Sequence, residues 1–428
     1  MRPHPRPVVD QPVTRRGFVS VALGAAASAV LPTSRLEAAV QPGTREPAAL
    51  EPYQPVVLPR GVRSRFVDGV NGLRMHVLEA GFETPNRPML LLLHGFPELA
   101  YSWRQVMGPL AEAGYYVVAP DRRGYGRSSP TIIGYDDDLA PFGTFNQVQD
   151  MVALVYALGH RAVHAVIGHD QGSPQAGWCA VIRPDLFRSV VMMSAPFGGT
   201  TTLPFNTANG APPPPRPAAD TIYDDLARLS PPRKHYQRYY QSREANENLW
   251  HPRQGLQAFL RAYYHMKSAD WAPNQPQPLA GRTAAEWATL PRYYVMDLAL
   301  GMAESVAPEM PTPQEVAACR WLPDTDLAVY TAEYQRTGFQ GGLNGYRSGG
   351  GDSALRIFAG RTIDVPSMFI GGRQDWGVYQ SPGALERLES THTTRYEGTH
   401  LIDAAGHWVQ QEQPAQVSAR LVEFLRRR

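Results

Sequence analysis

The chain is poor in cysteine and in lysine. Its two cysteines, Cys179 and Cys319, lie far apart in 428 residues, with no second pair and no histidine cluster nearby. This pattern excludes a disulfide framework and gives no metal-ligand spacing, so buried free thiols are expected. Lysine occurs only at positions 234 and 267, and 41 basic side chains nearly balance 39 acidic ones. The net charge of +2 provides no basic surface for nucleic acid.

The N-terminal apolar run is too short for a stable membrane span. Residues 17–31 form 15 uncharged residues rich in Ala and Gly, whereas a span needs about 18 to 20. Arginines precede the run and small residues follow it, which is typical of a signal peptide cleaved after Ala29 or near Ala39; a disordered basic tail is the alternative. Segment 14–19 (TRRGFV) resembles a twin-arginine signal. The resemblance implies a bacterial protein that the twin-arginine machinery exports, already folded, to the periplasm or beyond.

The rest of the chain predicts an α/β domain with an added layer. Hydrophobic residues make up 43% of the chain, and a single core stops growing at about 250 to 300 residues. Residues 64–79 alternate apolar and polar side chains around Asn71-Gly72, which signals a hairpin. Continuous apolar runs near helical stretches predict a mostly parallel sheet covered by helices. These runs are 89–93, 116–119, 165–167, 190–193 and 368–370, and the nearby helical stretches include 101–113 and 146–158.

This alternation breaks between Phe197 and about Arg361. The stretch is rich in Tyr and Trp, has amphipathic helical patterns at 236–249 and 254–267, and has no clear sheet strand. It predicts a mainly helical insertion between two strands. The predicted segments are a signal peptide (1–39), a Pro-rich linker or strap (40–62), a first core part (63–196), a helical cap (197–361, with a Pro-rich loop at 212–217) and a second core part (362–428).

The strongest chemical motif is Gly168-His169-Asp170-Gln171-Gly172. An apolar strand precedes it and a helical pattern at 173–183 follows it, as in a nucleophile elbow with Asp where Ser is often found. Glycines are needed there because strand, turn and helix backbones crowd one another. Asp170 is therefore the predicted nucleophile.

A second turn, His94-Gly95-Phe96-Pro97, follows the apolar run 89–93. In proteins with such an elbow, the loop at this place supplies one of two backbone N–H groups that bind an oxyanion. The residue after the nucleophile supplies the other. Phe96 and Gln171 are the predicted donors, and His94, Gly95 and Pro97 form the supporting motif.

An acid and a histidine should follow in that order on the last strands. Asp375 follows the predicted strand 366–371, and His407 lies in the segment 404–408 (AAGHW) before a C-terminal helix. Asp170, Asp375 and His407 therefore form a predicted catalytic triad.

Together these motifs resemble the α/β-hydrolase fold and, within it, the epoxide hydrolases. The resemblance runs from about Ser64 to the C terminus. It also includes the segments 121–126 (DRRGYG), 235–241 (HYQRYYQ) and 343–347 (LNGYR). It implies an α/β-hydrolase fold in which the insertion is a cap. It also implies that Tyr236 and Tyr346 polarise the epoxide oxygen.

An Asp nucleophile favours attack on an sp³ carbon. It leaves an ester that water can cleave, whereas Ser would leave a stable ether. The implied substrates are a small-molecule epoxide and water, and the product is a vicinal diol. Asp170 opens the ring, Tyr236 or Tyr346 protonates the oxygen, and His407, oriented by Asp375, activates water. No metal and no organic cofactor is implied.

One residue departs from the family pattern. Many relatives have Trp directly after the nucleophile, where this chain has Gln171. Haloalkane dehalogenases hold the departing halide with that Trp, so its absence disfavours dehalogenation. Fluoroacetate dehalogenases also lack the Trp, and Gln can donate a hydrogen bond, so a dehalogenase is the first alternative. A non-hydrolytic ligand-binding protein on the same scaffold is the second.

Overall fold

The structure, a computed structural model, describes residues 50–129, 132–201, 220–348 and 353–428. The predicted signal peptide, the first part of the linker and the Pro-rich loop at 212–217 lie outside these residues. From Leu50 to Arg428 the chain forms one compact unit. Cys179 is buried and Cys319 is partly buried, and both are free thiols. No helix in the described ranges is long and apolar enough to cross a membrane.

The central sheet has eight strands. The strands of the described chain are β1 (Val62–Val70), β2 (Leu73–Ala80), β3 (Met89–Leu93), β4 (Tyr116–Pro120), β5 (Ala165–His169), β6 (Val190–Met193), β7 (Arg233–His235), β8 (Val295–Asp297), β9 (Ser367–Gly372) and β10 (Tyr396–Ile402). The order in the large sheet is β1-β2-β4-β3-β5-β6-β9-β10. β2 is antiparallel to β1 and β4, and all later neighbours are parallel. This confirms the predicted fold class.

Alternation along the strands divides the core into two layers. Leu90 and Leu92 of β3 contribute to one buried cluster, and Leu91 and Leu93 to the other. Because both faces are covered, β3 is apolar throughout. The hairpin predicted around Asn71-Gly72 joins β1 to β2, with Asn71 at φ +47° and Gly72 at φ +81°.

Helices cover the sheet and build the insertion. Those near the sheet are α1 (Arg104–Glu112), α2 (Thr144–Ala157), α3 (Gly172–Ile182), α13 (Ala384–Arg387), α14 (Val409–Glu412) and α15 (Pro414–Leu425). Those of the insertion are α4 (Ile222–Ala227), α5 (Tyr236–Tyr240), α6 (Glu244–Trp250), α7 (Leu256–Lys267), α8 (Ala284–Trp287), α9 (Met302–Val306), α10 (Pro313–Ala318), α11 (Asp324–Thr337) and α12 (Gln340–Ser348). Short 3₁₀ segments lie at Pro55–Val57, Ala100–Trp103, Gly126–Ser128, Ala140–Phe142, Ala307–Glu309, Ser353–Phe358 and Trp376–Val378, and a π-helical turn lies at Leu388–His392.

The insertion lies between β6 and β9 and is mainly helical. Two details differ from the sequence-based expectation. The helix expected over 236–249 is interrupted after Tyr240, because the N–H groups of Gln241 and Ser242 donate to carbonyls three residues back, which tightens and ends the turn. In addition, β7 and β8 form a small antiparallel pair of three residues each. Strands this short carry no readable alternation.

Candidate active site

Asp170 lies at the sharp turn between β5 and α3. Its backbone has φ +50°, a left-handed conformation that is unusual for a residue with a side chain. A Cβ added to Gly168 would lie 2.0 Å from the carbonyl oxygen of Gly172, and one added to Gly172 would lie 2.2 Å from that of Leu93. No larger residue fits these two positions, so the glycines allow the turn that presents Asp170.

The loop after β3 faces the Asp170 carboxylate. The Phe96 N–H donates to Asp170 Oδ1 at 2.8 Å. A Cβ on Gly95 would lie 2.3 Å from the Asp170 Cβ, which explains glycine there. Gln171 directly follows Asp170 and precedes α3, but among the described residues its N–H makes no hydrogen bond to the carboxylate. The structure therefore brings one of the two predicted oxyanion donors into contact with Asp170.

His94 and Pro97 support this loop from outside the site. His94 Nε2 accepts from the Arg122 N–H at 3.0 Å, and His94 Nδ1 lies 2.8 Å from the Gly95 carbonyl. Burial and the charge of Arg122 lower the pKa of His94 to about 4, so the ring is neutral at pH 7. The Pro97 carbonyl accepts from the Tyr264 hydroxyl of α7 at 3.1 Å. Both residues fix the loop and neither bonds the Asp170 carboxylate.

The structure brings the predicted triad together. His407 Nε2 is 3.4 Å from Asp170 Oδ2, and His407 Nδ1 is 3.1 Å from Asp375 Oδ1. Among the described residues, Nε2 has no hydrogen-bond partner and is available to a water molecule. The Gly377 N–H donates to Asp375 Oδ1 at 2.7 Å and helps hold the acid in place. His407 can therefore take a proton on the Asp170 side while Asp375 orients its other nitrogen.

Both carboxylates of the triad are buried, yet they stay ionised. Burial opposes ionisation of Asp170, but the close approach and charge of His407 and the charge of Lys267 outweigh it and hold the pKa well below its usual range. Burial acts in the same way on Asp375, and its contacts with His407 and Ser194 keep its pKa below the ordinary value. Asp170 is therefore an anion at neutral pH, as a nucleophile requires.

Ser194 is a site residue that the sequence reasoning missed. It follows β6 with φ +68°, and its hydroxyl donates to Asp375 Oδ2 and lies 2.7 Å from His407 Nδ1. The only sequence signal for it is a hydroxyl at the carboxyl end of a buried strand. Ser194 therefore fixes the Asp375–His407 pair from a third strand.

A buried ion pair lies beneath the triad. Glu98 Oε2 and His169 Nδ1 are 2.5 Å apart, and His169 Nε2 lies 2.7 Å from the His407 carbonyl. The side chains of Gln410 and Gln411 each donate to Glu98 Oε1 at 2.8 Å. Burial lowers the pKa of His169, but Glu98 outweighs it and raises that pKa above the ordinary value. The pair thus connects three parts of the site: the loop that carries Phe96, the turn that carries Asp170 and the loop that carries His407.

Glu412 holds the His407 loop from the other side. Its carboxyl group accepts from the N–H groups of Gly406 and Trp408, which flank His407, each at 2.9 Å, and burial raises its pKa to about 8. It also accepts from the Ala269 N–H at 2.8 Å. These bonds fix the backbone that carries the histidine. Sequence gave no sign of this role, because an acid in a C-terminal helix is ordinarily a surface residue.

Tyr236 and Tyr346 lie on the cap side of the site. Their ring centroids are 6.1 Å apart, and the Tyr346 ring is 5.7 Å from that of Phe96. The Tyr236 hydroxyl accepts from Gln237 Nε2 at 3.2 Å and lies 3.4 Å from Gln380 Oε1. Burial and the nearby Asp170 carboxylate raise the pKa of Tyr236 and that of Tyr346 well above the ordinary value. Both phenols are therefore protonated at neutral pH.

In the described part of the chain, no group of three or more His, Cys, Asp or Glu side chains is arranged to hold a metal ion. The groups that the site brings together are the carboxylates of Asp170 and Asp375, the imidazole of His407 and the phenols of Tyr236 and Tyr346. That set suits attack on an electrophilic carbon followed by hydrolysis of the resulting ester.

Comparisons of sequence with known proteins agree with this geometry. A family model described as the alpha/beta hydrolase fold matches residues 88–248. Epoxide hydrolase B of Mycobacterium tuberculosis is 31% identical over 357 residues, which cover 83% of this chain and 96% of the relative. Epoxide hydrolase A of the same species is 32% identical over 365 residues, which cover 84% of this chain and 96% of the relative.

Solved structures give the same result. An epoxide hydrolase from an endophytic Streptomyces superposes with a TM-score of 0.67 at 30% identity, covering 86% of this chain and 96% of that one. Potato (Solanum tuberosum) epoxide hydrolase I superposes with a TM-score of 0.62 at 28% identity, covering 86% of this chain and 100% of that one. Because the similarity extends over both parts of the core and the insertion, the chain belongs to the epoxide hydrolase family of the α/β-hydrolase fold.

Proposed function

We propose that this protein hydrolyses epoxides to vicinal diols through a covalent ester on Asp170. The observation that carries the proposal is the placement of the two carboxylate oxygens. Oδ1 is bonded to the Phe96 N–H at 2.8 Å, and Oδ2 lies 3.4 Å from the unpartnered His407 Nε2. Oδ1 already accepts from the Phe96 N–H, which can later stabilise an oxyanion. Oδ2 faces His407, the base that would activate water to cleave the Asp170 ester.

In the first half-reaction an oxygen of Asp170 attacks a ring carbon of the epoxide. The carbon–oxygen bond of the ring breaks, and its electron pair goes to the epoxide oxygen. That oxygen takes a proton from the phenol of Tyr236 or Tyr346, and the other phenol donates a hydrogen bond. The high pKa of both phenols supports this role, because a protonated phenol can donate at neutral pH.

In the second half-reaction His407 Nε2 takes a proton from water, and the resulting hydroxide attacks the carbonyl carbon of the Asp170 ester. The Phe96 N–H, joined by the N–H of Gln171, stabilises the oxyanion. The ester bond then breaks and the diol leaves with a proton from His407, while Asp170 returns to its carboxylate form. The proton that Asp170 loses in returning to its carboxylate form came from the attacking water and passes to the phenolate left by the first half-reaction, so epoxide and water are the only reactants consumed.

Product analysis tests the proposal. Purified protein is incubated with styrene-type and aliphatic epoxides beside their chloro-, bromo- and fluoro-substituted analogues, with Asp170→Ala as the blank. We expect diol that the blank does not form, and we expect His407→Gln to accumulate a covalent adduct on Asp170 that mass spectrometry detects. Halide release without diol would instead identify a dehalogenase. Tight binding without any turnover would favour a ligand-binding protein.

We also propose that the protein is exported by the twin-arginine pathway and acts in the periplasm or outside the cell. The support is the sequence of residues 14–31, in which paired arginines precede a short apolar run. The full chain is expressed in a bacterium, and diol-forming activity is assayed in periplasmic and cytoplasmic fractions. We expect Arg15→Lys combined with Arg16→Lys to move the activity to the cytoplasm. Unchanged periplasmic activity would contradict this route.

A further inference from the structure

A cavity adjoins the catalytic centre on the side of α3. Its volume is about 420 Å³, and its walls come from α2, the start of α3, the α5 region and α12. Gln171, the residue after the nucleophile, and Tyr346, a candidate epoxide contact, both line it. A substituent of an epoxide held at Asp170 would therefore extend into this cavity.

Amide side chains dominate the wall of the cavity. The glutamines that line it come from three separate segments: Gln147 from α2, Gln171 and Gln175 from the start of α3, and Gln237 and Gln241 from the α5 region. The side chains of Gln147 and Gln175 accept from the Arg122 guanidinium, and their amide nitrogens donate to backbone carbonyls. Arg122 also donates to the His94 carbonyl at 3.1 Å. Arg122 itself lines the cavity, and three of its five N–H donors are thus taken up by the two glutamines and the His94 carbonyl.

The other three amides each keep one end free. Gln171 Oε1 accepts from the Tyr125 hydroxyl at 2.9 Å, and Gln237 Nε2 donates to the Tyr236 hydroxyl at 3.2 Å. Gln241 Oε1 receives a long bond of 3.5 Å from Arg238. Among the described residues, the amide nitrogens of Gln171 and Gln241 and the carbonyl oxygen of Gln237 have no hydrogen-bond partner. The amide groups of the cavity thus offer two donors and one acceptor that no described protein group occupies.

We propose that this cavity is a subsite for an uncharged, hydrogen-bonding substituent of the epoxide, such as a hydroxyl or an amide. The inference rests on the proposed epoxide hydrolysis and names the substrate class. An apolar substituent would displace water and leave the free amide groups without partners, which costs binding free energy. A hydroxyl or an amide can both donate and accept, and so matches all three groups.

The test uses three epoxides of matched size. They are 6,7-epoxyheptan-1-ol, its methyl analogue 1,2-epoxyoctane and its acid analogue 6,7-epoxyheptanoic acid. We compare kcat/KM for wild type, for Gln171→Leu combined with Gln241→Leu, and for Gln149→Leu, an exposed glutamine of α2 outside the cavity. We expect wild type to prefer the alcohol. The ratio of kcat/KM for the alcohol to kcat/KM for the methyl analogue should fall about tenfold in the double variant, the size expected for two lost hydrogen bonds. The same ratio should stay unchanged in Gln149→Leu.

The outcomes separate this inference from the proposed reaction. A circular dichroism spectrum and a thermal midpoint equal to those of wild type verify that the double variant is folded, and Gln241→Leu alone repeats the test if it is not. A wild type that prefers the methyl analogue, with a ratio that the variant leaves unchanged, overturns the subsite while epoxide hydrolysis stands. Preference for the acid overturns the uncharged class and assigns recognition to Arg122. Absence of diol from every epoxide overturns the proposed function, and the subsite with it.

Discussion

Lys267 is a buried cation whose charge acts on Asp170, the proposed nucleophile. Its side chain ends among the rings of Tyr263, Tyr293, Tyr294 and Trp408, with Nζ 5.1 to 5.8 Å from their centroids. Within the described chain it forms no salt bridge with a carboxylate, so the rings and the field of Asp170 compensate its charge. Sequence could not single it out, because its surroundings come from residues far apart in the chain. The scarcity of lysine in the chain does not indicate that Lys267 lies near Asp170.

Replacing Lys267 by Met should make catalysis more sensitive to acid. Loss of the cation raises the pKa of Asp170, and only the ionised carboxylate attacks. The acidic limb of kcat/KM therefore moves to higher pH. The pH profile of kcat/KM measures this shift, and Lys234→Met, at the chain's other lysine, is the control that leaves the limb in place. An unmoved acidic limb in Lys267→Met would show that the cation does not act on the nucleophile.

Replacing Tyr346 by Phe should slow ester formation. The phenol is the proposed proton donor, and loss of a general acid costs about tenfold to a hundredfold when a second donor, here Tyr236, remains. Single-turnover kinetics separate the alkylation rate from the hydrolysis rate. Tyr239→Phe, in the same part of the cap, is the matched control and should alkylate at the wild-type rate. An unchanged alkylation rate in Tyr346→Phe would assign proton donation elsewhere.

Among the structural elements, those whose signal lies in one contiguous stretch of sequence could be predicted. Continuous apolar runs mark buried parallel strands, and the elbow is readable because its glycines, Asp170, the strand and the helix are contiguous. The parts that sequence missed depend on pairing across the chain. Ser194 acts through Asp375 and Glu412 acts through the backbone on either side of His407, and neither contact leaves a local pattern.

Replacing Glu412 by Gln should loosen the loop that carries His407. Glu412 accepts hydrogen bonds from three backbone N–H groups. The NH₂ group of a glutamine in its place would face at least one of them, donor against donor, and an unsatisfied buried N–H costs about 1 to 3 kcal/mol. His407 serves mainly ester hydrolysis, so hydrolysis should slow more than alkylation, and covalent adduct should build up. Rapid-quench mass spectrometry measures the adduct. Glu423→Gln, on the exposed side of α15, is the control.

Equal slowing of both half-reactions in Glu412→Gln would contradict this positioning role. It would indicate that the substitution disturbs the whole site rather than the histidine loop.

At the scale of the whole molecule, cap and core are joined at the site itself. The His407 N–H donates to the Lys267 carbonyl at the end of α7 at 2.8 Å, and Trp408 Nε1 donates to the Tyr264 carbonyl at the same distance. The tyrosines come from the cap and the triad comes from the core. The site is therefore complete only when both are folded against each other, and stability of the cap is a condition of catalysis.

Arg104 of α1 forms a buried polar link between core and cap away from the site. Its buried guanidinium donates to Asp326 of α11 at 2.6 and 3.0 Å, to the Trp321 carbonyl at 3.0 Å and to Gln411 at 2.7 Å. Asp326→Asn removes the anion and leaves a buried cation, so we expect unfolding free energy to fall by about 2 kcal/mol, the usual worth of hydrogen bonds to charged groups. Chemical denaturation measures this change.

Asp225→Asn breaks an exposed pair with Arg228 and should change stability by less than about 0.5 kcal/mol. Equal stability of the two variants would mean that the Arg104–Asp326 link does not stabilise the cap on the core.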